Sequence, residues 1–286
     1  MQERRTISPV WVVLAGIGSA QLGAAVAKNL FGRVDPTGVV WLRLATSALV
    51  FVVIARPRLH GRTRADWLTV VGFGLALGAM NWSTYQAIAR IPLGLAVAIG
   101  FSGPLVLAAA LSRRPRDLVW VGLAAIGVGL PALGHADLDV AGIGFALLAA
   151  TMWATYILLS ARTGKRWEGV EGLAVASAVA AVLLAPFAVR TAGDALLDPR
   201  ILVVGATVGL LSSAIPYACD LVALRRIRAD VFSILMCLEP AAAALAGMLV
   251  LGEFLSPLEW LAVLCVMVAS VGATGSRERV AEPVLD

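Results

Sequence analysis

Charge is scarce in this chain. Only 14% of its 286 residues are Asp, Glu, Lys or Arg, against about a quarter in ordinary soluble domains. With 60% of residues hydrophobic, a water-soluble globule is excluded. Histidine is scarcer still: His60 and His135 both fall between hydrophobic runs. There is no His-Glu-x-x-His, no Gly-x-Ser-x-Gly and no Walker A sequence, so the usual routes to metalloprotease, serine hydrolase and ATP-driven pump chemistry are missing. The chain is not read as an enzyme. Its three cysteines, Cys219, Cys237 and Cys265, lie inside apolar runs without metal-ligand spacing and are expected as small packing residues. No metal and no cofactor is expected. No polar stretch is long enough for a separate soluble domain.

What is present is a series of apolar runs of roughly 17–22 residues, close to the ~20 that span a bilayer as helix. We expect an all-α integral membrane protein with ten transmembrane helices over residues 9–28, 37–55, 67–88, 94–112, 118–134, 140–160, 170–188, 200–222, 230–251 and 257–274. The first run is followed by nine more and lacks a clear cleavage site, so it is expected as a span, not a signal peptide. The polar residues 275–286 are expected as a disordered cytoplasmic tail.

The net charge of +5 suggests nucleic acid only until the arginines are located, because they sit in short connections between runs. With the N-terminus inside, 17 Lys and Arg residues fall on the inner side and 5 on the outer. The inner ones include Arg56, Arg58, Arg62, Arg64, Arg162, Lys165 and Arg166, together with Arg113, Arg114, Arg116, Arg225 and Arg228. That bias predicts both termini in the cytoplasm and an even number of spans. The bilayer is the partner, not nucleic acid.

The same hydrophobic text occurs twice. At an offset of 136, Ala87/Ala223, Arg90/Arg226, Ile91/Ile227, Pro104/Pro240, Ala108/Ala244 and Ala110/Ala246 are identical. At an offset of 140, Leu118/Leu258, Trp120/Trp260 and Val128/Val268 match. Residues 9–134 and 140–274 therefore read as two five-helix repeats. An odd-span unit inserted twice must enter upside down the second time. Inverted repeats are the architecture of secondary transporters, with the substrate site between the halves.

Polar groups at membrane depth are costly and are candidates for function. Glu239, near mid-bilayer in the ninth span, either binds a substrate ammonium or proton or serves as a hydrogen-bonded structural acid. Its aligned position in the fourth span is Gly103. Arg43 in the second span either meets a substrate carboxylate, pairs with an inner acid, or snorkels to the outer interface. Asp220 reads as a gate or as an interfacial charge facing Arg225 or Arg226, the latter favoured, and Lys28 as a snorkelling cation. In the third span Gly74, Gly78, Asn81 and Tyr85 share a face, with Gln86 adjacent; in the eighth, Ser213, Tyr217 and Asp220 do so. Trp153 and Tyr156 in the sixth span and Gln21 in the first complete the set, as cavity lining or as packing. Pro104 and Pro240 each remove a backbone bond, freeing the carbonyls of Gly100 and Met236, either as kinks that offer carbonyls to a cation or as simple curvature.

These strings resemble the EamA-type drug/metabolite transporters, at Leu42-Arg43-Leu44, Leu238-Glu239-Pro240 and Leu251-Gly252-Glu253. The threonine and homoserine exporter branch is more similar still, at Lys28-Asn29-Leu30-Phe31, Ile91-Pro92-Leu93-Gly94, Gly103-Pro104-Leu105, Ser112-Arg113-Arg114-Pro115, Trp153 to Tyr156, Ile215-Pro216-Tyr217 and Met236 to Pro240. The resemblance covers essentially the whole chain. It implies an inner-membrane carrier exporting small amino acids or related metabolites, driven by protons. The chain departs from that branch at Gly100, where the resemblance implies an acid. The alternatives are a carrier for another metabolite or drug, and a non-transporting membrane enzyme or assembly subunit.

Overall fold

The structure is a computed structural model that describes residues 8–112, 118–134, 139–224, 226–227 and 229–278. Arg113, Arg114, Arg116, Arg225, Arg228 and His135 lie outside the described residues. Every regular element among the described residues is helical: α1 Pro9–Asn29, α2 Pro36–Ala55, α3 Arg64–Ile88, α4 Leu93–Ser112, α5 Leu118–Gly134, α6 Val140–Gly164, α7 Glu171–Ala192, α8 Pro199–Gly209, α9 Ile215–Leu224, α10 Ala229–Met236, α11 Glu239–Ala246 and α12 Pro257–Glu278.

The starts of these helices follow local chemistry. Asp35, Asp139 and Asp198 each accept a backbone N–H of the first turn of α2, α6 and α8, satisfying amides that have no partner within the helix. Thr63 and Asp66 form a reciprocal capping box at α3, and Ser256 and Glu259 another at α12. Pro9, Pro36 and Pro199 sit at first helical positions, where the missing N–H costs nothing.

Among the described residues, eight helical segments are long and apolar enough to cross a membrane. Two expected spans fall short of that measure. α3 carries the polar run Asn81 to Gln86, and the apolar helix Leu118–Leu130 is short. Many large apolar side chains face outward, among them Leu49, Ile54, Val182 and Leu249, as expected where lipid replaces water. α12 continues through Glu278, past the expected end at 274, and residues 279–286 of the expected tail lie outside the described residues.

The expected eighth and ninth spans are not plain helices. The eighth widens into a π-helical turn, Leu210–Ala214, between α8 and α9. The ninth stops at Met236, turns through Cys237 and Leu238, restarts as α11 and ends in a second π-helical turn, Gly247–Leu251. Cys237 and Leu238 donate to Ile234 and Leu235 in tight i→i−3 bonds, so the break comes just before the proline that cannot continue the ladder.

Helices from the two halves pack on each other more than on their sequence neighbours. α3 lies on α6, and α1 on α9; α4 lies on α6, and α1 on α11; α3 lies on α7, and α2 on α8. α2 meets α7, α5 meets α12 and α4 meets α11. Glycine permits the closest of these approaches. A Cβ at Gly103 would land on the Ala150 carbonyl of α6, and one at Gly23 would land on the Ser212 hydroxyl.

Candidate functional site

The π-helical turn of the eighth expected span is the centre of the site. The Ile215 amide bonds to the Leu210 carbonyl, the i→i+5 pattern. The next residue is Pro216, which has no N–H to offer Leu211 in that pattern, nor Ser212 in the ordinary helical one. Side chains from the first half answer both carbonyls. Ser19 of α1 donates to the Leu211 carbonyl at 2.8 Å, and Arg43 of α2 donates through Nη2 to the Ser212 carbonyl at 3.1 Å. Arg43 Nε reaches the Ser213 hydroxyl at 3.4 Å, and the guanidinium carbon stands 5.5 Å from the centre of the Tyr85 ring. Arg43 therefore does not simply snorkel. A cation at membrane depth is held by backbone dipoles and an aromatic face.

Around it lie the other polar groups of the interior. Tyr217 and Tyr156 share a hydrogen bond of 2.8 Å, joining α9 to α6. Tyr217 also packs edge-on against Phe51, with ring centres 5.4 Å apart. Asp220 and Arg43 both lie within electrostatic reach of the Glu239 carboxyl and of Tyr217. Glu239 opens α11, where a helix N-terminus favours negative charge. Arg43, Tyr156, Tyr217, Asp220 and Glu239 are each half-buried. Asp220 stands over Gly16 of α1 and has no ion pair among the described residues; Arg225, one of its two expected partners, lies outside them.

The remaining expected site residues divide. The Tyr85 ring packs against Phe31 at 5.9 Å. The Tyr85 hydroxyl, the Gln21 side-chain oxygen and the Ser212 hydroxyl are buried with no hydrogen-bond partner among the described residues, unusual for buried polar atoms. Asn81 instead donates to the Leu77 carbonyl of its own helix at 2.9 Å. Gln86 donates to Thr37 at 3.3 Å and accepts from Arg90 at 2.7 Å, away from the Arg43 cluster. Trp153 packs edge-on against Phe101 at 4.9 Å. Pro104 sits inside an unbroken α4, whereas Pro240 follows the break in the ninth span.

Both ends of the bundle carry ion pairs between the halves. Lys28 pairs with Glu253 and donates to the Ile91 carbonyl at 2.9 Å, while Glu253 accepts the Leu93 amide at 2.9 Å. Lys28 is thus a tied cation, not a lone snorkelling one. At the opposite end Arg62 pairs with Glu171 at 2.7 Å and Arg166 with Asp66 at 3.0 Å. Arg62 also stacks over Trp167, 4.2 Å from the ring centre. Asp66, at the surface end of α3, is pulled down to about 2 by the Thr63 amide, then by the Thr63 hydroxyl and Arg166.

Apolar spanning helices around an interior arginine, two acids and paired tyrosines, with ion pairs across both mouths, define a multi-pass membrane carrier. The second half of the chain, residues 140–275, matches the EamA-like transporter family. The threonine/homoserine exporter RhtA of Salmonella typhimurium is 40% identical over 269 residues, covering 93% of this chain and 91% of that protein. RhtA of Escherichia coli K12 is 39% identical over 273 residues, covering 93% and 92%. The uncharacterized transporter YwfM of Bacillus subtilis is 27% identical over 86% of each chain. A solved crystal structure superposes with a TM-score of 0.63 at 18% identity, covering 95% of this chain and 99% of that one, a likeness of fold. The chain belongs to the EamA-like transporter family, in the branch of the RhtA exporters. It is a transporter and not an enzyme.

Proposed function

We propose that the chain is a secondary active carrier that exports small, threonine- or homoserine-like amino acids across the inner membrane. It has ten spans in two inverted five-helix repeats, residues 9–134 and 140–274, with both termini in the cytoplasm. Three observations support this reading. The relatives with 39–40% identity are threonine/homoserine exporters by name. The loop arginines fall 17 to 5 on one side. Much of the packing is exchanged between halves: α3 on α6 recurs as α1 on α9, α4 on α6 as α1 on α11, and α3 on α7 as α2 on α8. Alternating access then rocks one repeat against the other, opening the Lys28–Glu253 end and the Arg62–Glu171 end in turn.

The observation that carries the mechanism is Arg43 on the carbonyl of the widened turn, with Glu239 and Asp220 within electrostatic reach. An amino acid brings one charge of each sign. Its carboxylate replaces the Ser212 carbonyl as the partner of Arg43, beside the unpartnered hydroxyls of Tyr85 and Ser212. Its ammonium meets Glu239, whose reversible protonation couples export to the proton gradient.

The test measures binding of threonine and of its amino-alcohol analogue, which lacks the carboxylate, to wild type and Arg43→Gln in detergent. Wild type should bind threonine more tightly. Arg43→Gln should weaken threonine by about 10- to 100-fold, the value of a charge-assisted hydrogen bond, and leave the amino alcohol unchanged. Equal weakening of both ligands would remove Arg43 from carboxylate recognition.

A second reading rests on Gly100. A Cβ added at this buried glycine meets nothing within 4 Å, so the backbone there borders open space. On this reading the solute is a bulkier metabolite, and competition by a panel of larger amino acids decides between the two.

A further inference from the structure

Beside the ion pairs at the start of α3 lies a cavity of about 450 Å³ lined by Thr69, Arg162, Lys165 and Arg166. The transport site described above makes no use of it. Its charges are unbalanced. Arg166 is committed to Asp66 at 3.0 Å, and Asp66 is fixed by the capping box of α3. Of the two other nearby acids, Glu171 is held by Arg62, and Glu168, exposed three residues after Lys165, makes no ion pair with these cations among the described residues. Arg162 and Lys165 have no ion-pair partner among the described residues, and both are exposed. The Thr69 hydroxyl spends its proton on the Ala65 carbonyl at 2.7 Å, which leaves the two free cations to set the chemistry. The end of α6 at Gly164 explains why cations gather there, since a helix C-terminus favours positive charge.

The surroundings are apolar on the outward side. Leu68, next to Thr69 in α3, is 65% exposed. The cations therefore stand where helices leave the hydrocarbon, beside a side chain suited to an acyl chain. Basic pockets in that position bind anionic headgroups.

We propose that this pocket is a phosphate seat, filled by the headgroup of an anionic phospholipid. Arg162 and Lys165 hold the phosphate, Arg166 closes its inner side, and an acyl chain lies against Leu68. Free phosphate shares the anionic chemistry but has no use for the apolar wall.

The test is native mass spectrometry of the full chain in detergent, titrated with dioleoyl phosphatidylglycerol, dioleoyl phosphatidylcholine or inorganic phosphate. One phosphatidylglycerol should be retained in preference to phosphatidylcholine. Affinity should fall roughly fivefold for each cation removed in Arg162→Gln and Lys165→Gln. Arg190→Gln, an exposed arginine at the other end of the bundle, should bind as wild type. Thermal unfolding of each variant without lipid confirms that it is folded. Equal weakening in Arg190→Gln, or no preference for the anionic lipid, would overturn the site. Displacement of the lipid by excess inorganic phosphate would overturn the lipid assignment in favour of the free ion.

Discussion

The fourth and ninth expected spans carry a proline at the same place in the repeated sequence, yet they are built differently. α4 runs unbroken through Pro104. The ninth span halts at Met236 and restarts at Glu239, just ahead of Pro240. The residue before each proline explains the difference. Gly103 lies so close to α6 that any side chain would strike the Ala150 carbonyl, and the neighbouring helix braces α4. Glu239 is long and ionisable, begins a new helical segment and feels both Asp220 and Arg43. One position of the repeat is closed by packing, and its counterpart carries the ionisable group to which the proposed function assigns the chemistry.

The comparison can be broken at the packed side first. Gly103→Ala should cost about 1–3 kcal/mol, the usual penalty of overpacking, read as a lower melting temperature in detergent. Gly247→Ala serves as the milder control, because its Cβ would meet the Glu253 carboxylate at 3.2 Å and otherwise only side chains. Equal melting of wild type and Gly103→Ala would mean that α4 and α6 are not pressed together at this point.

A smaller effect should separate the prolines. Pro240→Ala restores an amide at the break and should slow threonine export severalfold by straightening the ninth span. Pro104→Ala should leave export within about twofold, since α4 is helical already. Initial rates in proteoliposomes decide it. Matched losses would erase the contrast.

The least effect should come from an acid outside the spans. Asp66 has its pKa lowered to about 2 in the folded chain from the ordinary 3.8. Its contribution is complete above 3.8 and is lost as pH falls from there towards 2. The melting difference between wild type and Asp66→Asn should therefore be the same at pH 5 and pH 8, and should shrink only in acid. A change between pH 5 and pH 8 would show that Asp66 is not held as a carboxylate.

The helical class was legible because long apolar runs leave few alternatives, and Asp35, Asp139 and Asp198 mark helix starts by plain capping chemistry. Arg43, Tyr85, Tyr156, Tyr217 and Glu239 were legible because polarity at depth is expensive. The turn that organises them was not. Pro216 signals a disturbed helix, but whether the ladder kinks or widens depends on Ser19 and Arg43 arriving from other helices. Asn81 and Gln86 have the chemistry expected of a site, yet a nearby carbonyl, Thr37 and Arg90 occupy their amides first. The pairing of Lys28 with Glu253 is a long-range contact that no local pattern encodes.

In the proposed mechanism Glu239 couples export to protons. It is tested most directly by counterflow and pH-gradient-driven flux of labelled threonine in proteoliposomes containing wild type or Glu239→Gln. The variant should lose the response of flux to the pH gradient, whatever exchange remains at symmetric pH. Flux in Glu239→Gln that still rises with the gradient as it does in wild type would contradict it.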